Sequence, residues 1–237
     1  MTPHDVADAR AVGERQSRRS DRSEHLMSTD LDHLVFAGPS LADAIDEIER
    51  LTGVRGAPGG RHTTTGTANA LIALTVDGQP GRRYLEIIGP DPDGVRTASE
   101  IPTFGISSLS APRLAGFALR PDDLDATVER LRSLGADPGD VEPLGRVRPD
   151  GVQLSWRLTR RAGNAWDGLP FLIDWQDSPH PGLGDLPRLE LTGLRVTAPA
   201  GDARFDALTA LGLDPTAGSA ALHVDLRGTR AATLSTD

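Results

Sequence analysis

Two side chains in the first half of the chain carry the chemistry of a site. His33 projects from the apolar run Leu31-Asp32-His33-Leu34-Val35-Phe36-Ala37, and Glu86 from Tyr84-Leu85-Glu86-Ile87-Ile88. Strand alternation puts His33 on one face with Leu31, Val35 and Ala37, and Glu86 on one face with Tyr84 and Ile88. Neutral imidazole and carboxylate together suit Zn, Mn, Fe or Ni. A charged Glu in so apolar a strand is costly to bury without a partner. The plain alternatives are a core histidine bonded to backbone, and an ion pair of Glu86 with Arg82 or Arg83. Asp174, in Pro170-Phe171-Leu172-Ile173-Asp174-Trp175, is a shorter acid in a comparable strand, readable as ligand, general base or paired structural carboxylate. His62 and Asn69 flank the Gly-rich segment 59–66, read here as a mobile loop. A histidine there serves as acid, base or substrate donor, or is simply solvated. Arg157 alternates with Gln153 and Ser155, opposite Leu154, Trp156 and Leu158. If the polar face lines a cleft, its guanidinium is a fork for a carboxylate or phosphonate; otherwise it is a solvated arginine. His223 reads as structural.

What is missing narrows the chemistry further. The 237 residues contain no cysteine, which excludes thiolate catalysis, disulfides and iron–sulfur clusters. All 25 basic residues are arginine. Without lysine there is no Schiff base, no covalent pyridoxal phosphate and no phosphate-loop lysine, and no organic cofactor is expected. A formal charge of −9 argues against nucleic acid or an anionic membrane as partner. No apolar run approaches the roughly 18 residues of a membrane span.

The elements that must position these groups repeat along the chain. Residues 1–28 mix arginines with acids and few large apolar side chains, and read as a disordered tail. Leu31–Ala37 reads as a strand, followed by a helix capped at Ser40 with Leu41, Ile45, Ile48 and Leu51 as its apolar stripe. Val54–Ala57, Asn69–Val76 and Tyr84–Ile88 read as strands, with a turn at Asp77-Gly78. The order returns with the strand Leu114–Leu119, a helix with stripe Leu124, Val128, Leu131 and Leu134, and strands at Val152–Thr159 and Pro170–Trp175. The two stripes match at one constant offset of 83 positions, the signature of a duplication. That offset places Gly116 where the first half has His33. A partial third copy follows, in which Leu191-Thr192-Gly193-Leu194 echoes Leu114-Ala115-Gly116-Phe117. The expected units are a first βαβββ module over 29–104, a second over 112–181, and a partial βαββ module over 188–237 packed on the same domain.

Taken in order, Leu31-Asp32-His33-Leu34-Val35, Gly59-Gly60-Arg61-His62, Gly66-Thr67-Ala68-Asn69-Ala70-Leu71, Tyr84 to Ile88 and Pro170 to Trp175 resemble the glyoxalase-like branch of the vicinal oxygen chelate superfamily. The resemblance implies an α+β fold: paired βαβββ modules form a curved, mostly antiparallel sheet around a cleft. It implies metal ligation by His33, Glu86 and Asp174; catalysis by Glu86, Asp174 and His62; and substrate binding by Asn69, Arg157, Trp175 and His180, the last two on a loop closing the pocket. Gly116 removes the second imidazole, which disfavours extradiol ring cleavage. The implied function is an isomerase, epimerase or lyase of the glyoxalase type acting on a small polar metabolite, with either a divalent metal or hydrogen-bond donors near His33 and Glu86 polarising the substrate. The alternative is a non-catalytic small-molecule or antibiotic-binding (resistance-type) protein, which the glycine favours and the two acids oppose. A cytoplasmic protein is expected, with a homodimer compatible with the resemblance.

Overall fold

In the computed structural model, residues 29–148, 150–161 and 166–237 are described, so the expected N-terminal tail lies outside the described residues. The strand β1 (Thr29–Ala37) leads into α1 (Leu41–Thr52), whose first turn is closed by the Ser40 hydroxyl accepting from the Asp43 N–H. Gly53 ends this helix in a left-handed conformation that costs glycine little. The buried stripe is centred on Ala44 and Ile48, with Leu41, Ile45 and Leu51 flanking it. Three strands follow: β2 (Ala57–His62), β3 (Thr67–Val76) and β4 (Gln79–Pro90). Asp77 and Gly78 both have positive φ, as a two-residue hairpin turn between twisted strands requires. The same order of elements then runs through β5 (Arg113–Pro121), α2 (Leu124–Ser133), β6 (Asp140–Val147), β7 (Gln153–Arg160) and β8 (Phe171–Asp174). The remainder is β9 (Arg188–Ala198), α3 (Ala203–Ala210), β10 (Thr216–Ala217), β11 (Ala221–Arg227) and β12 (Ala231–Ser235).

The sheet is mixed and closes on itself. Passing between hydrogen-bonded neighbours from β3 through β2, β6, β7, β8, β5, β1 and β4 leads back to β3. β1 and β5 form one seam, antiparallel along their length; the opposite seam, β2 to β6, rests on the single pair Arg61↔Val147. Closure gives the strands an inside and an outside. Leu34, Phe36, Ile72, Leu85 and Ile87 face outward into the main core with α1, whereas Tyr84, Glu86 and Ile88 face in. β9 continues the sheet from the far half of β3, through parallel pairing of Ala73–Thr75 with Arg188–Glu190, and carries β11 and β12 beyond it. Among the described residues no helix is long and apolar enough to cross a membrane.

Two local expectations are corrected. The Gly-rich stretch is not a loop through Gly59 and Gly60: both belong to β2. A Cβ on Gly59 would meet the Asn69 Oδ1 at 2.3 Å, and one on Gly60 the Arg146 Nη1 at 2.6 Å, so the glycines make room for two functional side chains. β6 was not read from the sequence at all, because Pro143, Gly145 and the charges Asp140, Glu142 and Arg146 hide its alternation.

Candidate active site

The interior of the closed sheet holds a cavity of about 320 Å³. His33 and Glu86 both line it, from the parallel neighbours β1 and β4, with His33 Nε2 3.8 Å from Glu86 Oε2. Each is held from behind. The Glu86 Oε1 accepts from the Asn69 amide at 2.5 Å, and His33 Nδ1 lies 2.7 Å from the Asp32 carboxylate. Glu86 has no ion pair with Arg82 or Arg83, and the partner of His33 is a carboxylate rather than backbone.

Asp32 is the residue the sequence reading missed, and the reason is local geometry. Regular alternation would send Asp32 and His33 to opposite faces. Pairing with β5 shifts register between Leu31 and His33, and this bulge lets the two adjacent side chains meet. The Asp32 carboxylate is wholly buried and also faces the Trp175 indole N–H at 3.1 Å, Arg120 Nη1 at 3.1 Å and His180 Nε2 at 3.1 Å. Burial alone would raise its pKa, but the hydrogen bonds from His180 and His33 outweigh it and hold the group well below the ordinary carboxylate range. An ionised Asp32 keeps the proton of a neutral His33 on Nδ1, so Nε2 presents its lone pair towards Glu86.

The other predicted residues divide. His62 lines the cavity, with Nδ1 3.1 Å from the Thr67 hydroxyl and its ring against Trp156. Burial lowers its pKa, Glu86 raises it and Arg146 lowers it again. Trp175 lines the cavity; His180 lies behind it, bound to Asp32 rather than open to a ligand. Arg157 and Asp174 do not join them. Arg157 bonds Asp174 at 3.1 Å and Asp125 of α2 at 3.0 Å, on the outer face. Alternation along β7 is as expected, but the Trp156 and Leu158 side, not the Arg157 side, faces the cavity. His223, on β11, has its Nε2 3.6 Å from the Asp237 carboxylate.

Two further groups went unrecognised. Tyr84 stacks on His33 with ring centroids 4.6 Å apart, and its phenol pKa is raised by burial and then by Glu86 and Asp32. Arg146, only 5% exposed, donates to the Gly59 carbonyl. A lone arginine in a strand broken by proline and glycine gave no signal.

These donors do not fit the expected metal centre. No three or more His, Asp or Glu side chains gather to hold an ion among the described residues. His33 and Glu86 supply two ligands, and Asp174 is held elsewhere. His33 and Gly116 occupy matching places either side of the pair Leu34↔Phe117. Gly116 has φ +143°, and a Cβ there would lie 3.3 Å from the Trp166 ring, which covers the place where a second imidazole is expected.

The fold has counterparts. A hypothetical protein from Staphylococcus aureus is 15% identical, with 86% of this chain and 85% of that one covered, and a TM-score of 0.52. Methylmalonyl-CoA epimerase from Mycobacterium tuberculosis is 22% identical over 64% of this chain and 93% of its own, with a TM-score of 0.37. A methylmalonyl-CoA epimerase in complex with methylmalonyl-CoA and NH4+ is 16% identical over 65% and 99%, with a TM-score of 0.42. No curated protein matches the chain. Residues 31–223 match the model of the glyoxalase-like domain, well over half of the chain. The chain therefore belongs to the glyoxalase-like domain family.

Proposed function

We propose that the protein is an isomerase or lyase that moves a proton on a small polar metabolite, using its own side chains. The observation that carries this reading is the His33–Glu86 pair, 3.8 Å apart inside one cavity and each locked by a buried partner. Groups placed so closely reach the same face of a substrate. Two bases acting on opposite faces of one carbon stand about 6 Å apart, twice the ~3 Å reach of a proton acceptor. The pair therefore suits transfer between adjacent atoms, as in ketol isomerisation: Glu86 takes a proton from one carbon and returns it to its neighbour, while His33 Nε2 accepts the hydroxyl proton of the enediol intermediate and passes it to the adjacent oxygen. Tyr84 keeps its phenolic proton and is a donor to a developing oxyanion. His62 is the remaining acid–base group of the cavity.

The same reading treats 29–104 and 112–181 as the two modules, with 188–237 an added half-unit outside the closed ring, and the protein as cytoplasmic. Antibiotic or other small-molecule binding without turnover remains the second reading. It is favoured by the aromatic walls, to which all three tryptophans contribute.

Incubation of wild-type protein with pooled hydroxy- and oxo-acids in D2O, followed by NMR, separates the two. Deuterium should appear beside a carbonyl, and Glu86→Gln should slow its uptake by about 10²–10⁴-fold. Ligands that are retained by the protein but recovered without deuterium would sink the enzyme and leave the binder. Elemental analysis of protein purified without added metal checks the donor count: a stoichiometric ion lost in His33→Ala and in Glu86→Gln would overturn the metal-free mechanism.

A further inference from the structure

Arg146 is a buried cation with no acid in ion-pair contact, and Glu86, across the same cavity, acts on it only at longer range. Its side chain lines the cavity, Nη1 donates to the Gly59 carbonyl, and no carboxylate lies within ion-pair distance of it among the described residues. Burying an unpaired guanidinium is expensive, and a fold keeps one where a ligand completes it. A second observation points the same way. Among the described residues four side-chain polar atoms are buried without a partner: the acceptor Asn69 Oδ1, and three donors on residues of the cavity wall, Trp156 Nε1, Trp166 Nε1 and Arg161 Nη1. The wall around Arg146 is thus short of acceptors, although the cavity as a whole holds the Glu86 carboxylate and the unpartnered Asn69 Oδ1.

We infer that the cavity is built for a planar organic acid whose single carboxylate is held by the Arg146 fork and whose other acceptor oxygens meet the indole N–H groups. One free guanidinium matches one carboxylate, whereas a phosphate dianion would bring a surplus charge up to Glu86. Flat aromatic walls favour a planar body over a branched one. This substrate class rests on the reading of the cavity as the functional site, but its test does not require turnover.

Every tryptophan of the chain lines the cavity, so intrinsic fluorescence reports occupancy directly. We would titrate the full-length protein with benzoate, with its neutral counterpart benzamide, and with inorganic phosphate. Benzoate should change the fluorescence saturably, with benzamide and phosphate about tenfold weaker or more. Arg146→Met should weaken benzoate at least tenfold and leave benzamide unchanged, with Arg146→Lys between the two. Because the variant removes an unpaired buried charge, Arg146→Met should also melt no lower than wild type. The inference is overturned by any of three results: benzoate no tighter than benzamide, benzoate binding within threefold of wild type in Arg146→Met, or an Arg146→Met protein that fails to fold, which would make the arginine structural. Glu86→Gln separates this idea from the catalytic one, since benzoate should bind it at least as tightly while deuterium exchange is lost.

Discussion

Replacing Asp32 with asparagine tests the frame on which the site hangs. The carboxylate faces donors on His33, His180, Trp175 and Arg120 and is fully buried. Asparagine keeps the shape but offers one acceptor oxygen, and its amide turns N–H groups towards other N–H groups. Hydrogen bonds to a charged group are worth about 1.5–3 kcal/mol each. Losing two of the four and leaving Arg120 without its buried acid places the cost at about 3–5 kcal/mol. Against a total stability of about 5–15 kcal/mol this is a large fraction, and for a chain of this size it lowers Tm by about 6–20 °C. Urea unfolding followed by tryptophan fluorescence measures it. The pH dependence has a definite sign. Asp32 has its folded pKa depressed below the ordinary 3.8, so its contribution is complete above that value and is lost as pH falls below it. The gap between wild type and Asp32→Asn should therefore be widest near neutrality and narrow as pH drops below 3.8. A loss under about 1 kcal/mol, or a gap unchanged from neutral pH down to pH 3, would refute this account of Asp32.

Other consequences are equally direct. The His62 imidazole, observed by NMR, should titrate below 6.5, and lower still in Glu86→Gln, which removes the charge that raises it; a midpoint at or above 6.5 contradicts the burial seen here. Asn69→Asp sets a second carboxylate against the Glu86 Oε1 now held by the amide, so the acidic limb of the exchange profile should move up by about one unit or more. Gly116→Ala should cost about 1–3 kcal/mol in chemical denaturation, since it forces a side chain into a positive-φ position against Trp166. Trp175→Phe, which deletes one donor to Asp32, should cost about 1–3 kcal/mol on the same measure.

How much of this was legible depended on whether a residue obeyed its strand's period. Tyr84, Glu86 and Ile88 alternate without interruption, and all three face the cavity as the sequence implied. His33 lines the cavity as well, but its neighbour Asp32 gave no signal, because the β1 bulge that brings the two together cannot be read from residue types. In β7 the alternation is as read, and residue types left open which of its two faces lines the cavity. A polar Gln153–Ser155–Arg157 side looks like the lining of a polar site; here the aromatic side turns inward and Arg157 is spent on Asp125 and Asp174. Arg146 was invisible for a different reason. Its role depends on Gly60 of another strand making room for it and on the Gly59 carbonyl, 87 residues away in the chain, accepting from it.

The two strands of the β1–β5 seam carry different chemistry at matching positions. Around the pair Leu34↔Phe117, the first presents an imidazole backed by a buried acid, and the second presents a glycine covered by an indole. A glycine alone would leave a hole, and a hole in the wall of a packed interior forfeits contacts without adding a ligand. Trp166 fills that space, and in doing so it excludes a side chain that could restore the symmetry. The consequence is directional. Substituting histidine at Gly116 would not rebuild a four-ligand centre, because the imidazole must first displace a ring packed against Phe117 with centroids 5.6 Å apart. Only the double change Gly116→His with Trp166→Ala opens the room, and it still inherits the strained φ of the glycine. Of the three arginines lining this cavity, Arg160 and Arg161 are paired with Glu142 and Asp167, so the guanidinium without an ion pair is that of Arg146, on the wall completed by the weak β2–β6 seam.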